Sequence, residues 1–343
     1  MKVESVLELE VYTQANAFDK LKHEWNDLLI RSQANTIFNT WEWHSTWWNI
    51  YRPGDLWIVI CRDNSGKLIG IAPWFIDQGR VVRFIGCEDV TDYLDLIIDK
   101  KHIDIVLGHL ANFLKENCAM YDHLDLCNIP AASSTLEKLP HLLQNNLFEV
   151  RTIRQDVCPI IEVPPTWEEY LQSLDKKQRH EIRRKLRRAE GVPDKIEWYT
   201  VDSSQNIQVE IERFFLLMAA SDENKQLFLQ NEAHKAFFRH MIPLVFEKGW
   251  LRLNFLTIND EPTAAYLNFV YDNQLLIYNS GLKIENYGHL SPGILLLVNN
   301  IQYAIDQGYK VVDFLRGNET YKYRMGGKDT EIFKLSAWCK QDG

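Results

Sequence analysis

From Leu56 the chain runs LWIVICRDNSGKLIGIAPWFI, two apolar stretches separated by Asp63-Asn64-Ser65-Gly66. Apolar runs of strand length around a cluster of turn residues predict a β-hairpin. The arrangement returns from Leu251, LRLNFLTINDEPTAAYLNFVY, about 195 residues later, with its turn at Asn259 to Pro262. After each hairpin comes a further strand pattern (80–85 and 274–279), then a helical pattern, then a strand that ends in a polar loop. VLGHLANFLKENCAMYDHLDLCN, from Val106, aligns without gaps on ILLLVNNIQYAIDQGYKVVDFLR, from Ile294, and sets Asp125 opposite Asp313. A repeat far longer than the roughly 20 to 50 residues of a solenoid implies two similar domains. A helix joining two strands predicts a crossover that leaves them parallel. The expected fold class is therefore α/β: two tandem domains, each a mixed, mostly antiparallel sheet flanked by helices. Pro159, Pro164 and Pro165 punctuate the middle, and Thr166 opens a helix with Glu168 and Glu169 in its first turn, which places the domains at 1–165 and 166–343.

Charge and cysteine content narrow the partners. A net charge of −9 over 343 residues disfavours a protein that coats nucleic acid, and no DNA partner is expected. Six cysteines without a C-x-x-C pair read as reduced, mostly buried thiols. Acids from Glu4 onward do not suit a signal peptide, and no run approaches the roughly 20 apolar residues of a membrane span. A soluble, cytoplasmic chain is expected, and no histidine spacing suggests a metal.

Five stretches are candidates for chemistry. In ENYGHLSPGILLLVNNIQYAIDQG, Ser291 is expected to cap a helix, with Pro292 first inside it and Gly308 ending it. Its N-terminal amides would suit an anion, whereas the matching first-half segment has no glycine-rich loop. Leu171, just before SLDKKQRHEIRRKLRRAEG, and Leu174, Ile182, Leu186 and Ala189 within it recur at helical spacing beneath eight basic residues. That segment is either a solvated helix or a seat for a phosphorylated ligand, with Arg183 and Arg184 as contacts. FNTWEWHSTWW, residues 38–48, is either core or a stacking surface. In DVTDYLD, Asp92 and Tyr93 either serve a turn or hold a substrate amine. DFLRGNETYKYRMGG, residues 313–327, sets arginines, a lysine, tyrosines and carboxylates among glycines directly after an apolar strand.

The doubled arrangement, FNTWEWHSTWW, IAPW, the DYLD segment, SPG and DFLRGNETYKYRMGG together resemble the GNAT acyltransferase superfamily. Within it they resemble the tandem-domain, CelD-like acetyltransferases associated with cellulose biosynthesis, which are related to the Fem peptidyltransferases. The resemblance implies a sheet that splays between the strand at Leu275 to Asn279 and the strand at Val311 to Leu315. It implies acetyl-CoA or another acyl-CoA in the gap, with the pyrophosphate on the loop from Asn286 to Gly293 that holds Tyr287, Gly288 and Ser291. The family's Q-x-x-G-x-G/A signature is not present as written; ENYGHLSPG keeps Gly288 and Gly293 at a looser spacing. Asn279 and Ser280 would serve the oxyanion. Asp313 or Glu319 would take a proton, and Tyr321 or Tyr323 would return one. Lys322 resembles the Fem lysine near the transferred group, and Arg316 and Arg324 would hold phosphates or carboxylates. The first domain would bind the acceptor or serve structurally, and the second would bind the donor and catalyse. The reaction implied is N-acyl transfer to a small-molecule amine, such as an amino sugar or an envelope precursor, in nucleotide-linked or phosphorylated form among the options. An aminoacyl-tRNA donor is the alternative, and a catalytically silent binding protein in polysaccharide assembly is a third reading.

Overall fold

A computed structural model describes residues 7–87, 90–283 and 285–340. Its elements are β1 (Glu8–Tyr12), α1 (Ala17–Arg31), α2 (Trp41–Tyr51), β2 (Gly54–Arg62), β3 (Leu68–Asp77), β4 (Val81–Phe84), β5 (Ile97–Ile98), α3 (Ile103–Glu116), β6 (His123–Pro130), α4 (Ser134–Asn145) and β7 (Phe148–Glu162). There follow α5 (Trp167–Ser173), α6 (Lys176–Glu190), β8 (Ile196–Thr200), α7 (Ile207–Ser221), α8 (Glu223–Gln230) and α9 (Glu232–Glu247). The last are β9 (Leu251–Ile258), β10 (Glu261–Tyr271), β11 (Gln274–Leu282), α10 (Pro292–Asp306), β12 (Val311–Asp313), α11 (Thr320–Arg324) and β13 (Lys328–Cys339). Two compact units result, Met1–Asp156 with Thr330–Gly343, and Val157–Asp329. The division thus falls after Asp156 and not near residue 165, and the C-terminal strand belongs with the first unit. Pro164 and Pro165 mark only where a helix is about to start, whereas the division follows packing, and β13 pairs with β6.

The first unit orders its strands β1-β2-β3-β4-β6-β13, with β5 beside β3. β2 and β3 form the expected hairpin, and Asp63 Oδ1 closes its turn by accepting from the amides of Ser65 and Lys67. β4 and β6 pair in parallel across α3, as the crossover requires. Thr40 caps α2 by accepting from the Trp43 amide. Trp43, Trp47 and Trp48 are buried, Trp43 edge-on to Phe38 at 4.8 Å and Trp47 against Phe75 at 5.6 Å. These rings are core, so they are not available as the stacking surface. The cysteines also differ from expectation. Cys87 pairs with Cys127 and Cys118 with Cys339, leaving Cys61 and Cys158 as buried thiols. The partners lie 40 and 221 residues apart, so no local spacing announces them; the fold brings their Cα atoms to 6.2 and 6.3 Å.

The second unit orders its strands β7-β12-β11-β10-β9-β8. Asn259 and Asp260 turn the β9–β10 hairpin with φ of 52° and 66°, the left-handed pair that a two-residue turn demands. β11 and β12 are parallel but share only Gln274↔Val311 to Leu276↔Asp313, while β11 continues to Leu282. β11 thus runs on past the end of β12 at the level where the splay is expected. A register shift between Leu267 and Asn268 on β10 loosens β11 from its other neighbour at the same level. The sequence repeat gave no place to α7, α8 and α9. α7 presses so closely on β11 that a Cβ on Gly281 would sit 2.6 Å from Leu217 Cβ. The segment read as one basic helix is two, because Leu174 is extended and Asp175 restarts the helix by accepting from the Gln178 amide at 2.9 Å. Ile182 of α6 packs into the same core as Leu171, Leu174 and the α10 leucines. Among the described residues no helix is long and apolar enough to cross a membrane.

Candidate functional site

The stretch after β12 is a cage built around one ammonium group. Asp313 is buried, and its carboxylate accepts from the Leu315 amide at 2.7 Å, holding Leu315 at a φ of 57°. That turn points three successive carbonyls inward. Lys322 Nζ donates to Leu315 O at 3.0 Å, Arg316 O at 2.7 Å and Gly317 O at 3.1 Å, and pairs with Glu319 at 2.9 Å. Lys322 is only 2% exposed. Gly317, at a φ of 111°, lets the Glu319 carboxylate lie where a Cβ would be 2.6 Å from it. Lys322 thus has its donors committed to the loop, and Asp313 serves the backbone; neither is free as the sequence suggested. Tyr170 ties the far end down by donating to Met325 O.

The second structure is the seat of α10. Pro292 opens this helix as expected, but Ser291 does not cap it: Ser291 is left-handed, with a φ of 58°, and its hydroxyl accepts from Lys185 Nζ at 2.6 Å. Arg188 donates to His289 O at 2.8 Å. The basic face of α6 is thereby fastened to the loop that enters α10. Between them and α11 opens a cavity of about 320 Å³, lined by Lys177, Gln178, Glu181, Ile182, Lys185, Ile294, Tyr321, Arg324 and Met325. Lys177, Lys185 and Arg324 face one carboxylate, Glu181, whose acidity two neighbouring cations strengthen: the hydrogen bond from Arg184 first, then Lys185, to a pKa of about 2. The α10 N-terminus adds its positive end. Burial and then the charge of Glu319 raise the Tyr321 pKa, so its phenol stays protonated.

The remaining candidates distribute as follows. Arg183 and Arg184 pair with Glu168 and Glu181, and neither Arg183 nor Arg184 lines the cavity; α6 turns Lys177 and Lys185 toward it instead. Tyr323 donates to Asp329 at the surface, and Arg316 is half-buried in the cage. Gly288 lies in a short 3-10 turn, Gly293 packs on Leu282, and Tyr287 accepts from Asn259. The Ser280 amide donates to Asn279 Oδ1 at 2.8 Å, so it is already engaged. Asp92 and Tyr93 are buried in the first unit, with Tyr93 edge-on to Phe38, and Asp89 lies outside the described residues. One residue escaped the sequence reading altogether. Lys225 of α8 donates to Ser280 O at 2.6 Å and Ser280 Oγ at 3.1 Å, where β11 leaves β12. Burial lowers its pKa, against the attraction of Asp222 and Glu319. No sequence signal could have found it, since its helix has no counterpart in the repeat.

Residues 176–323 match the family model described as an acetyltransferase (GNAT) domain. Among solved structures the chain is similar to FemX, with a TM-score of 0.62 and 11% identity over 95% of this chain and 96% of that one. It is also similar to the C-terminal domain of a putative lysylphosphatidylglycerol synthetase from Agrobacterium fabrum, with a TM-score of 0.54 and 13% identity over 93% and 92%. A tandem GNAT protein from the clavulanic acid biosynthesis pathway gives a TM-score of 0.50 and 12% identity over 98% and 100%. No curated protein matches the sequence. The chain accordingly has the fold of tandem GNAT proteins, and across residues 176–323 its second unit carries the pattern of a GNAT acetyltransferase domain.

Proposed function

We propose that this chain is an N-acyltransferase that draws its acyl group from an acyl-CoA and passes it to an amine, such as that of an amino sugar or envelope precursor, as in the CelD-like branch. The observation that carries the reading is the cavity in which Lys177, Lys185 and Arg324 meet the first turn of α10. Three cations and a helix N-terminus suit a diphosphate, and Ile182, Ile294 and Met325 supply an apolar wall. In the reaction the amine nitrogen bonds to the acyl carbon and the carbon–sulfur bond breaks. Glu319, more than half exposed at the mouth of the cage, accepts the proton the amine loses, directly or through water. Tyr321, kept protonated, returns one to the departing thiolate. Lys225 supplies positive charge at Ser280, the position where the oxyanion develops. The first unit would bind the acceptor or serve structurally.

The test is a thermal-shift and calorimetric titration with acetyl-CoA, longer acyl-CoAs and free CoA. Stabilisation by acyl-CoA that falls at least tenfold in affinity in Lys185→Gln supports the reading; no stabilisation by any CoA species overturns it. A second donor has one observation in its favour: α6 carries eight Lys and Arg residues against Glu181 and Glu190. Aminoacyl-tRNA would bind there with steep salt dependence and without competition from CoA.

A further inference from the structure

A second hollow of about 350 Å³ lies at the outer edge of the same unit, lined chiefly by Trp198, Thr200, Arg252, Asn299, Gln302 and Tyr303, with Asp306 at its rim. β8 is the last strand of the sheet order, and Trp198 on it is 57% exposed. Arg252 is the informative residue. Its guanidinium lies 3.4 Å over the Tyr303 ring, and its Nε donates to Asn300 Oδ1 at 3.2 Å. Asn300 is fully buried and is held in turn by Asn254 Nδ2 at 2.9 Å, so Arg252 is fixed from behind by an amide network. Among the described residues no carboxylate pairs with it, although burial opposes its charge and lowers its pKa. A half-buried, immobilised guanidinium without a counter-ion is arranged for one that arrives from solvent.

The surroundings indicate what carries that carboxylate. An exposed indole offers a flat face to the C–H side of a sugar ring. Asn299 and Gln302, one helical turn apart on α10, and the Thr200 hydroxyl offer donors and acceptors suited to vicinal hydroxyls. The lining offers one cation, Arg252, with Asp306 at the rim and not paired to it, which suits a single carboxylate on a sugar ring better than a run of phosphates. We propose that this hollow binds a uronic acid residue of an acidic oligosaccharide, its carboxylate on Arg252 and its ring on Trp198.

The inference stands apart from the transferase reading, since none of these residues lines the α6–α10 cavity. The experiment is calorimetric titration of the full chain with trigalacturonate and, as the neutral control, maltotriose. Trigalacturonate is expected to bind at least tenfold more tightly than maltotriose. Trp198→Ala, at an exposed position, should weaken trigalacturonate at least tenfold with Tm and acyl-CoA affinity unchanged, and Arg252→Gln should remove the preference for the acid. Equal affinity for the two sugars, or trigalacturonate binding unaltered by Trp198→Ala, overturns the proposal even where Arg252→Gln fails to fold.

Discussion

Lys322 shows how far a single side chain can differ from the role its motif suggests. A lysine among glycines and tyrosines reads as a free charge over a substrate, yet here it closes a loop by gathering three carbonyls. Lys322→Met leaves those acceptors buried without donors, at about 1–3 kcal/mol each. We expect a loss of at least 3 kcal/mol in urea unfolding, so lost turnover in that variant would report on the fold; Tyr321→Phe, which keeps the ring, is the cleaner probe of proton return. Asp95 gives a pH signature. It is fully buried, and burial raises its pKa to about 6 against hydrogen bonds from Ser133, Thr135 and the Leu96 amide. A raised carboxyl stabilises the fold fully below its ordinary value of 3.8 and loses that contribution as pH rises through about 6. Whatever offset Asp95→Asn brings, its stability relative to the parent should rise by about 2 kcal/mol between pH 4 and pH 8. A flat difference across that range would remove the charge from the account.

At the scale of elements, most of the frame was legible. Both hairpins and both parallel crossovers follow from apolar runs bounded by turn residues, because strand, turn and helix periods differ locally. α7, α8 and α9 were not legible, because they occur in one half only and a repeat informs only where it repeats. The basic segment was legible as a charged helix but not as to which residues face inward. With cations at most of its positions, periodicity cannot separate Lys177 and Lys185 from Arg183 and Arg184, and only the docking of Lys185 and Arg188 on the α10 entrance settles the face. The Gly281 contact between α7 and β11 is a direct check on that packing. Gly281→Ala should cost about 1–3 kcal/mol, read as a lower urea midpoint at constant m-value, because the helix backbone has nowhere to retreat.

For the whole molecule the disulfides make the sharpest prediction. Denatured under non-reducing conditions, the chain should show two reactive thiols, Cys61 and Cys158, and six after reduction. Reductant, or the pair Cys118→Ser with Cys339→Ser, should destabilise the first unit by about 2–5 kcal/mol. Six thiols before reduction would refute both bridges. The first unit is also discontinuous: its β13 pairs with β6, yet all of residues 157–329 stand between the two halves of that unit in the chain. On a ribosome the second unit can be complete before the first can close. Its folding is therefore the earlier event in the life of the nascent chain, and a messenger cut short before codon 330 would leave β6 paired with β4 alone and Cys118 as an unpaired thiol open to capture by other chains.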